Sequence, residues 1–392
     1  MTRMKIEIPT DVRWDEATAK QFIESAPYFI DKATIRAASV DGRSVMLDSA
    51  GDVAVDELQR NVESLARRIA RNLRDARETM LVEYLPESVA IHPDPMLALA
   101  ASGSLHQTGR GRFVYGRSLL ELLEALDRFV YAYAIGIGAE PQAYPTTVDA
   151  LTLIQSGYLK AFPQHALFVA PVACSAESLA EIGRCTSPND LDAPRQATLF
   201  APHDQVLAPT VCYHCMEVLK GREVTAPKSY TAVNQCHRFE VLSGASLDRL
   251  QTFRMREIVS FGDERYIIDV LDAALDWTTK VLRRWEIAHR ALTATDPFFA
   301  GATSNKLYFQ SIFSLKREIR VRLNFSGMWI SVASFNNHQD SLSTAFRIRG
   351  SDGALRSGCV GWGFERFAYA LLAQLGTDVS RWPRAARDDL GV

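Results

Sequence analysis

Several familiar features are missing from this chain. No stretch approaches the ~18–20 uninterrupted apolar residues of a membrane-spanning helix, and the first residues, MTRMKIEIPTDVRWDEA, hold no apolar run of a secretion signal. The chain is therefore expected to be cytoplasmic, with no membrane partner. Charge of one sign is lacking too: 44 Lys+Arg stand against 46 Asp+Glu, a formal net charge of −2. That balance argues against attachment to nucleic acid by overall charge and leaves only a local basic face for such a role. Neither a Gly-x4-Gly-Lys-Ser/Thr loop nor a Gly-x-Gly-x-x-Gly turn occurs, which argues against P-loop and Rossmann sites. There is no internal repeat or low-complexity tract. Cysteine is sparse, at six in 392 residues (Cys174, Cys185, Cys212, Cys215, Cys236 and Cys359). In a large chain without a secretion signal these are expected as thiols or metal ligands, not a disulfide framework.

What is there is ordinary globular material, 47% hydrophobic and 23% charged, long enough for a large catalytic domain and a smaller attached one. Residues 33–48 carry two β-prone runs around Asp41-Gly42, a dipeptide suited to a two-residue hairpin turn. Over 53–81, Val55, Leu58, Val62, Leu65, Ile69 and Leu73 recur at spacings of three and four, which predicts one helix of about seven turns. Its arginines, from Arg60 to Arg77, are interleaved with acids and read as an ion-paired face. The proline-containing stretch 85–95 is the natural boundary, giving an N-terminal extension of residues 1–95 and a second domain of residues 96–392. In the second domain, Ser118–Ile135 is helical in pattern. Residues 166–172, 258–259 with 266–268, and 319–332 supply β-rich runs, and Val360–Leu375 reads as a buried helix. Strands and helices without regular βαβ alternation predict an α+β domain.

The chemistry-bearing residues fall in two ordered blocks. HRFEVLSGASLDRLQTFRMRE (237–257) contains Arg238-x-Glu240, then Arg249, Phe253, Arg256 and Glu257 at intervals of four, three and one. Two strands joined by a loop would put Arg238 and Phe253 on one sheet face. Gly361-x-Gly363-x-Glu365-Arg366 follows near the C-terminus. Elsewhere, Cys212-x-x-Cys215 alone suggests a zinc knuckle or redox pair, with His214 as a further ligand, but no second Cys-x-x-Cys completes a knuckle. Placed on a short strand, Cys212 and Cys215 would point to opposite faces. Alternation likewise aims Ser334, Asn336 and His338 at one side. Cys174, Cys185 and Cys236 read as small core residues.

Together the two blocks resemble motifs two and three of class II aminoacyl-tRNA synthetases. GYLKAFPQH (157–165), APTVCYH (208–214), VASFNNHQD (332–340) and SGCVGWGFERFAYALLAQLG (357–376) narrow the resemblance to the zinc-dependent seryl-type branch. That branch comprises atypical seryl-tRNA synthetases and the bacterial amino acid:[carrier protein] ligases, and the match is closer to the ligases. The resemblance implies an antiparallel sheet flanked by helices, with ATP and Mg²⁺ used to make an aminoacyl-adenylate. By the family pattern Arg238 holds the α-phosphate and the amino-acid carboxylate, Arg366 the γ-phosphate, and Phe253 stacks on adenine. Arg249 closes over ATP, and Glu240 positions the nucleotide or the amino acid. Cys212, Glu257 and Cys359 fall on the Zn²⁺ ligands, while Ser334 and Asn336 fall in the amino-acid-binding segment. The magnesium ligands stay unassigned.

The implied partners are a small amino acid, ATP and a phosphopantetheinylated carrier protein, in a homodimer. With a single helix expected in the N-terminal extension, a two-helix tRNA-binding arm cannot be built, which makes tRNA the less favoured acceptor. A tRNA synthetase and a non-catalytic paralogue remain the alternatives.

Overall fold

The computed structural model describes the chain apart from residues 1, 13, 30–34, 50–54, 73–77, 89, 188–198, 202, 226, 241–243, 245, 295–315 and 352–354. It opens with strand β1 (Thr2–Glu7), helix α1 (Glu16–Phe29), strands β2 (Ile35–Asp41) and β3 (Ser44–Ser49), and helix α2 (Val55–Asn72). The strands form an antiparallel sheet in the order β1-β3-β2. Because Asp41 pairs with Ser44, the tight loop is Gly42-Arg43, one residue later than expected. Gly42 takes φ +57° there, a conformation that residues with a Cβ resist.

Leu58, Val62, Leu65 and Ile69 of α2 are buried as their spacing predicts, in one cluster with Ile6, Ile8, Phe22, Val45 and Leu47. On the outer face, Arg67 is ion-paired with Asp11. The structure corrects two expectations here. The helix does not reach residue 81, because Met80–Tyr84 is strand β4, where cross-strand pairing prevails over helical spacing. The extension also contains a second helix, α1, packed with α2 on the small sheet rather than projecting as an arm. Outside the described residues lies Leu73.

The larger sheet has eight strands. After β4 come helix α3 (Arg117–Gly136), strand β5 (Glu140–Pro141), helix α4 (Cys212–Leu219), and strands β6 (Lys228–His237) and β7 (Thr252–Gly262). Helix α5 (Glu264–Arg284) and strands β8 (His289–Thr293), β9 (Lys316–Arg322), β10 (Trp329–Gln339) and β11 (Arg356–Gly363) follow, and helix α6 (Phe364–Leu375) comes after them. The strand order is β4-β8-β9-β10-β11-β7-β6-β5. Every pairing is antiparallel except that of β5 with β6. This is the α+β architecture expected. Since β4 joins this sheet, the sheet begins upstream of the proline-containing stretch 85–95.

Residues 266–268 are helical, not β: the Asp263 side chain accepts the Tyr266 backbone N–H at 2.7 Å and starts α5, whose buried Ile267, Leu271, Ala274 and Leu275 follow helical spacing. Residues 360–363 belong to β11, and the helix starts at Phe364. Residues 166–172 form only isolated bridges, Phe168 to Val206 and Val172 to Phe200; Pro171 lacks the N–H that a continuous ladder needs.

One face of the sheet is sealed. Ile319, Val321, Phe335, Val360 and Trp362 pack with residues of α3, α5 and α6 in the main core, and the Trp362 indole donates to Thr278 Oγ1 at 3.2 Å. Cross-strand partners share a face, so the register puts Met255, Glu257, Ser334, Asn336, Cys359 and Gly361 on the opposite side. The candidate donors Glu257 and Cys359 lie there with Ser334 and Asn336. Among the described residues no helix is long and apolar enough to cross a membrane.

Candidate active site

Three elements converge at one end of this open face. Cys212 begins α4, Glu257 lies on β7 and Cys359 on β11, and one ligand atom from each lies within 4.8 Å of the others. All three residues are buried. Gly361 lies directly across from Glu257; a Cβ there would stand 2.8 Å from Met255 Sδ and 3.3 Å from Glu257 Cγ, so a side chain would crowd the carboxylate. Glu257 Oε1 accepts the Thr210 hydroxyl and the Val211 N–H, the latter at 3.1 Å. Its Oε2 is buried with no hydrogen-bond partner among the described residues. Burial pushes this carboxyl up to about 8.

The two thiols share a hydrogen bond that pushes Cys212 up and holds Cys359 down; burial also raises Cys212, while His338 and Asn336 also favour the Cys359 thiolate. An orphaned buried carboxylate oxygen beside a favoured thiolate fits a bound metal, because a divalent cation would stabilise both anions and take up the unused lone pair.

Cys215 is not a member of this group. Residues 212–219 form a helix, not a strand, so the expected opposite-face argument fails: i and i+3 lie on neighbouring sides. Among the described residues the group of potential ligands holds Cys212 without Cys215; the Tyr144 hydroxyl interacts with Cys215, and burial pushes that thiol up to about 12. His214 turns elsewhere, with Nε2 donating to the Thr147 carbonyl at 3.0 Å. Of the three cysteines expected in the core, Cys236 is buried, Cys185 only partly, and Cys174 is exposed.

At the other end of the face, β6 and β7 pair Cys236 with Phe253 and His237 with Thr252. This register brings the Arg238 guanidinium over the Phe253 ring, 5.2 Å from its centroid. Arg238 Nε donates to the Pro209 carbonyl at 3.1 Å. Arg249 Nη1 lies 3.5 Å from Glu240 Oε2, and Arg366 Nε donates to the Asp248 carbonyl. Burial lowers the Arg366 pKa, and the Arg249 and Arg238 charges lower it further. Three arginines, with the Glu240 and Asp248 charges beside them, form the kind of cluster that suits a polyanion.

The strand β10 residues point as alternation requires. Asn336 Nδ2 reaches Ser334 Oγ at 3.3 Å and Cys359 Sγ at 3.5 Å; His338 Nδ1 lies 3.2 Å from Ser357 Oγ. Sequence reasoning missed the next row. Lys316 and Glu318 lie across from Asn336 and Ser334, and Glu318 pairs with Lys316 at 3.0 Å and Arg320 at 3.2 Å. Burial works to raise Glu318, yet the two cations hold it down at about 2. It also missed two supports. Arg256 Nε binds Asp127 Oδ1 of α3 at 2.6 Å. Glu365 Oε2 accepts the Arg254 N–H at 2.8 Å. Both carried a signal, Arg256 by its place in the 237–257 block and Glu365 by its place in the Gly-x-Gly-x-Glu-Arg block.

No protein-family model matches the chain. Amino acid–[acyl-carrier-protein] ligase 1 of Bradyrhizobium diazoefficiens is 30% identical over 323 residues, 80% of this chain and 96% of that protein. Ligase 2 of the same organism is 31% identical, over 80% of this chain and 92% of its own length. This chain belongs to the amino acid–[acyl-carrier-protein] ligase family. The fold is also that of a solved Methanopyrus kandleri seryl-tRNA synthetase, crystallised with an A. aeolicus tRNASec. The two superpose with a TM-score of 0.73 at 22% identity, over 99% of this chain and 77% of that one. The likeness identifies the class II synthetase fold, so the sealed sheet and open polar face belong to a ligase of class II architecture.

Proposed function

We propose that this chain condenses a small amino acid with ATP to an aminoacyl-adenylate, releasing pyrophosphate, and transfers the aminoacyl group to the phosphopantetheine thiol of a carrier protein as a thioester, releasing AMP. The observation carrying this reading is that one sheet face of an amino acid–[acyl-carrier-protein] ligase family member holds both a Cys212/Glu257/Cys359 donor set and the Arg238/Arg249/Arg366 cluster. In this reading the amino-acid carboxylate attacks the α-phosphate and pyrophosphate leaves. Arg238 neutralises charge at the α-phosphate and orients the carboxylate. Arg366 holds the γ-phosphate, Phe253 stacks on adenine, Arg249 closes over the nucleotide, and Glu240 positions its end. Ser334 and Asn336 line the amino-acid side. Mg²⁺ accompanies the triphosphate, with its protein ligands unassigned.

The metal proposed for the Cys/Glu/Cys set is Zn²⁺, which takes sulfur and carboxylate ligands; three protein ligands leave a fourth position that can receive the substrate amino group. We further propose a homodimer through α3 and β5, and an N-terminal extension that forms a unit of its own, since the cluster around Phe22 and Leu47 is separate from the main core. An extension with two helices on a sheet offers a surface for the acceptor.

Amino-acid-dependent ATP–pyrophosphate exchange on metal-replete protein, followed by transfer assays, tests the reading. Exchange with a small amino acid and transfer to a phosphopantetheinylated carrier protein are expected. Transfer to total tRNA instead would make the chain a tRNA synthetase, and a complete lack of exchange by folded, zinc-loaded protein would make it a non-catalytic paralogue.

A further inference from the structure

The segment GYLKAFPQH has no role in the chemistry described so far, yet it ends against the nucleotide-binding arginines. Strand β6 stops at His237, and the last ladder-like bond beyond it is the Arg238 N–H to the Gln251 carbonyl at 2.9 Å. Phe239 and Glu240 therefore lie outside the sheet. Phe239 is held by His165: its N–H donates to the His165 carbonyl at 3.0 Å, and its own carbonyl lies 3.2 Å from His165 Nδ1. A carbonyl can only accept, so Nδ1 carries the proton and the tautomer is fixed. One residue thus makes both backbone bonds of the link between Arg238 and Glu240.

Behind His165 a row of rings leads into a small core. The His165 ring lies 6.2 Å from that of Phe162, which in turn lies 5.5 Å from that of Tyr158. Tyr158 is buried in a small cluster with Val148, Leu153, Val206 and Ala208. Pro209, next in the chain to Ala208, supplies the carbonyl that receives Arg238 Nε. Two arms of one small core therefore grip the same short stretch, one at the Arg238 side chain and one at the Phe239 backbone. Burial lowers the His165 pKa, and the Arg238 and Arg249 charges lower it further against the pull of Glu240. A neutral imidazole can donate this bond without adding a fourth positive charge.

We propose that His165 is a positioning residue for activation, holding the Arg238–Glu240 stretch through Phe239 so that both side chains meet the substrates in register. This rests on the synthetase reading above. Asparagine can offer an N–H in place of Nδ1, whereas glutamine places its amide one bond further out and alanine offers none. The experiment compares H165N, H165Q and H165A in ATP–pyrophosphate exchange with the amino acid that the unaltered chain uses best. ATP affinity by calorimetry, zinc content and melting temperature are read in parallel.

Loss of kcat/KM by about 10²-fold is expected in H165A, since misplacement by about 1 Å has that effect. H165Q should fall nearly as far, H165N should stay within a few-fold, and zinc content should be unchanged in all three. Equal activity in H165A and the unaltered chain would overturn the proposal, as would equal losses in H165N and H165A. So would activity that merely follows melting temperature. If H165A does not fold, the H165N/H165Q contrast decides. If the unaltered chain shows no exchange, the synthetase reading fails, and ATP affinity still tests His165: weaker binding in H165Q than in H165N is expected, and equal binding overturns the proposal.

Discussion

The two ends of the open sheet face solve opposite electrostatic problems. At the Cys212/Glu257/Cys359 end, acidic donors are buried with a carboxylate oxygen left unpaired. At the Arg238/Arg249/Arg366 end, cations are held by carbonyls of Pro209 and Asp248 and by one carboxylate. The first end gathers three potential anions in one buried group, while at the second the guanidinium groups of Arg238 and Arg366 are each fixed on a backbone carbonyl. The contrast teaches that one sheet face can bury clustered acidic groups at one place and clustered cations at another. It also shows that clustered arginines are best kept apart by tying each to a fixed oxygen.

The largest way to break this comparison is to remove a donor from the metal end. Cys359→Ser is expected to lower amino-acid-dependent exchange by more than about 100-fold, beyond the usual 10–100-fold loss from changing residues that only support a metal ligand. Metal content measured on the same sample should fall with it. Retained metal with retained exchange would remove this trio from the mechanism. Arg366→Ala attacks the other end and should lower exchange by about 10²–10³-fold, the scale of losing one charge-stabilising donor, with metal content unchanged. If R366A also lost its metal, the two ends would be one coupled unit.

Asp127→Asn tests the scaffold beneath both. Arg256 is buried on the sealed side of β7, bonded to Asp127 at 2.6 and 3.1 Å, with its guanidinium 4.8 Å from the Tyr131 ring centroid. Breaking a buried pair by changing one partner costs about 3–5 kcal/mol; with Asp127 partly exposed, a loss of about 3 kcal/mol in chemical denaturation is expected. A loss below about 1 kcal/mol would show that water replaces the pair.

The placing of Arg238 beside Phe253 was legible because its signals are local: Arg238 directly follows β6 and Phe253 lies on β7, so a loop and a register bring them together. Membership of the class II fold was legible from the joint pattern of two blocks. The helix at Cys212 was not, because a short apolar run such as CYHCMEVL has no period that separates strand from helix. The row of Lys316, Glu318 and Arg320 was hidden for another reason. Its place on the face depends on pairing with β10, and the register shifts between Ile319 and Arg320, which alternation alone does not reveal. Residues 80–81 misled because their strand identity comes from β8, more than two hundred residues away in sequence.

The smallest expected effect sharpens the comparison through a second buried glutamate. Glu257 keeps an unpaired oxygen at the metal end; Glu365, beside Arg366, is also buried but accepts the Arg254 N–H. Burial raises Glu365 from 4.5 to about 7. With a folded pKa above the unfolded one, the native state keeps a proton that the unfolded chain has lost between those values. Its contribution to stability is therefore complete below pH 4.5 and is lost as pH rises through about 7. Glu365→Gln keeps an oxygen for the Arg254 N–H and removes the titration. Urea denaturation between pH 5 and 8 should show the unaltered chain losing on the order of 1–3 kcal/mol more than E365Q over that span. Parallel curves would mean that Glu365 stays ionised throughout, with the Arg254 guanidinium 3.7 Å away as its effective counter-charge.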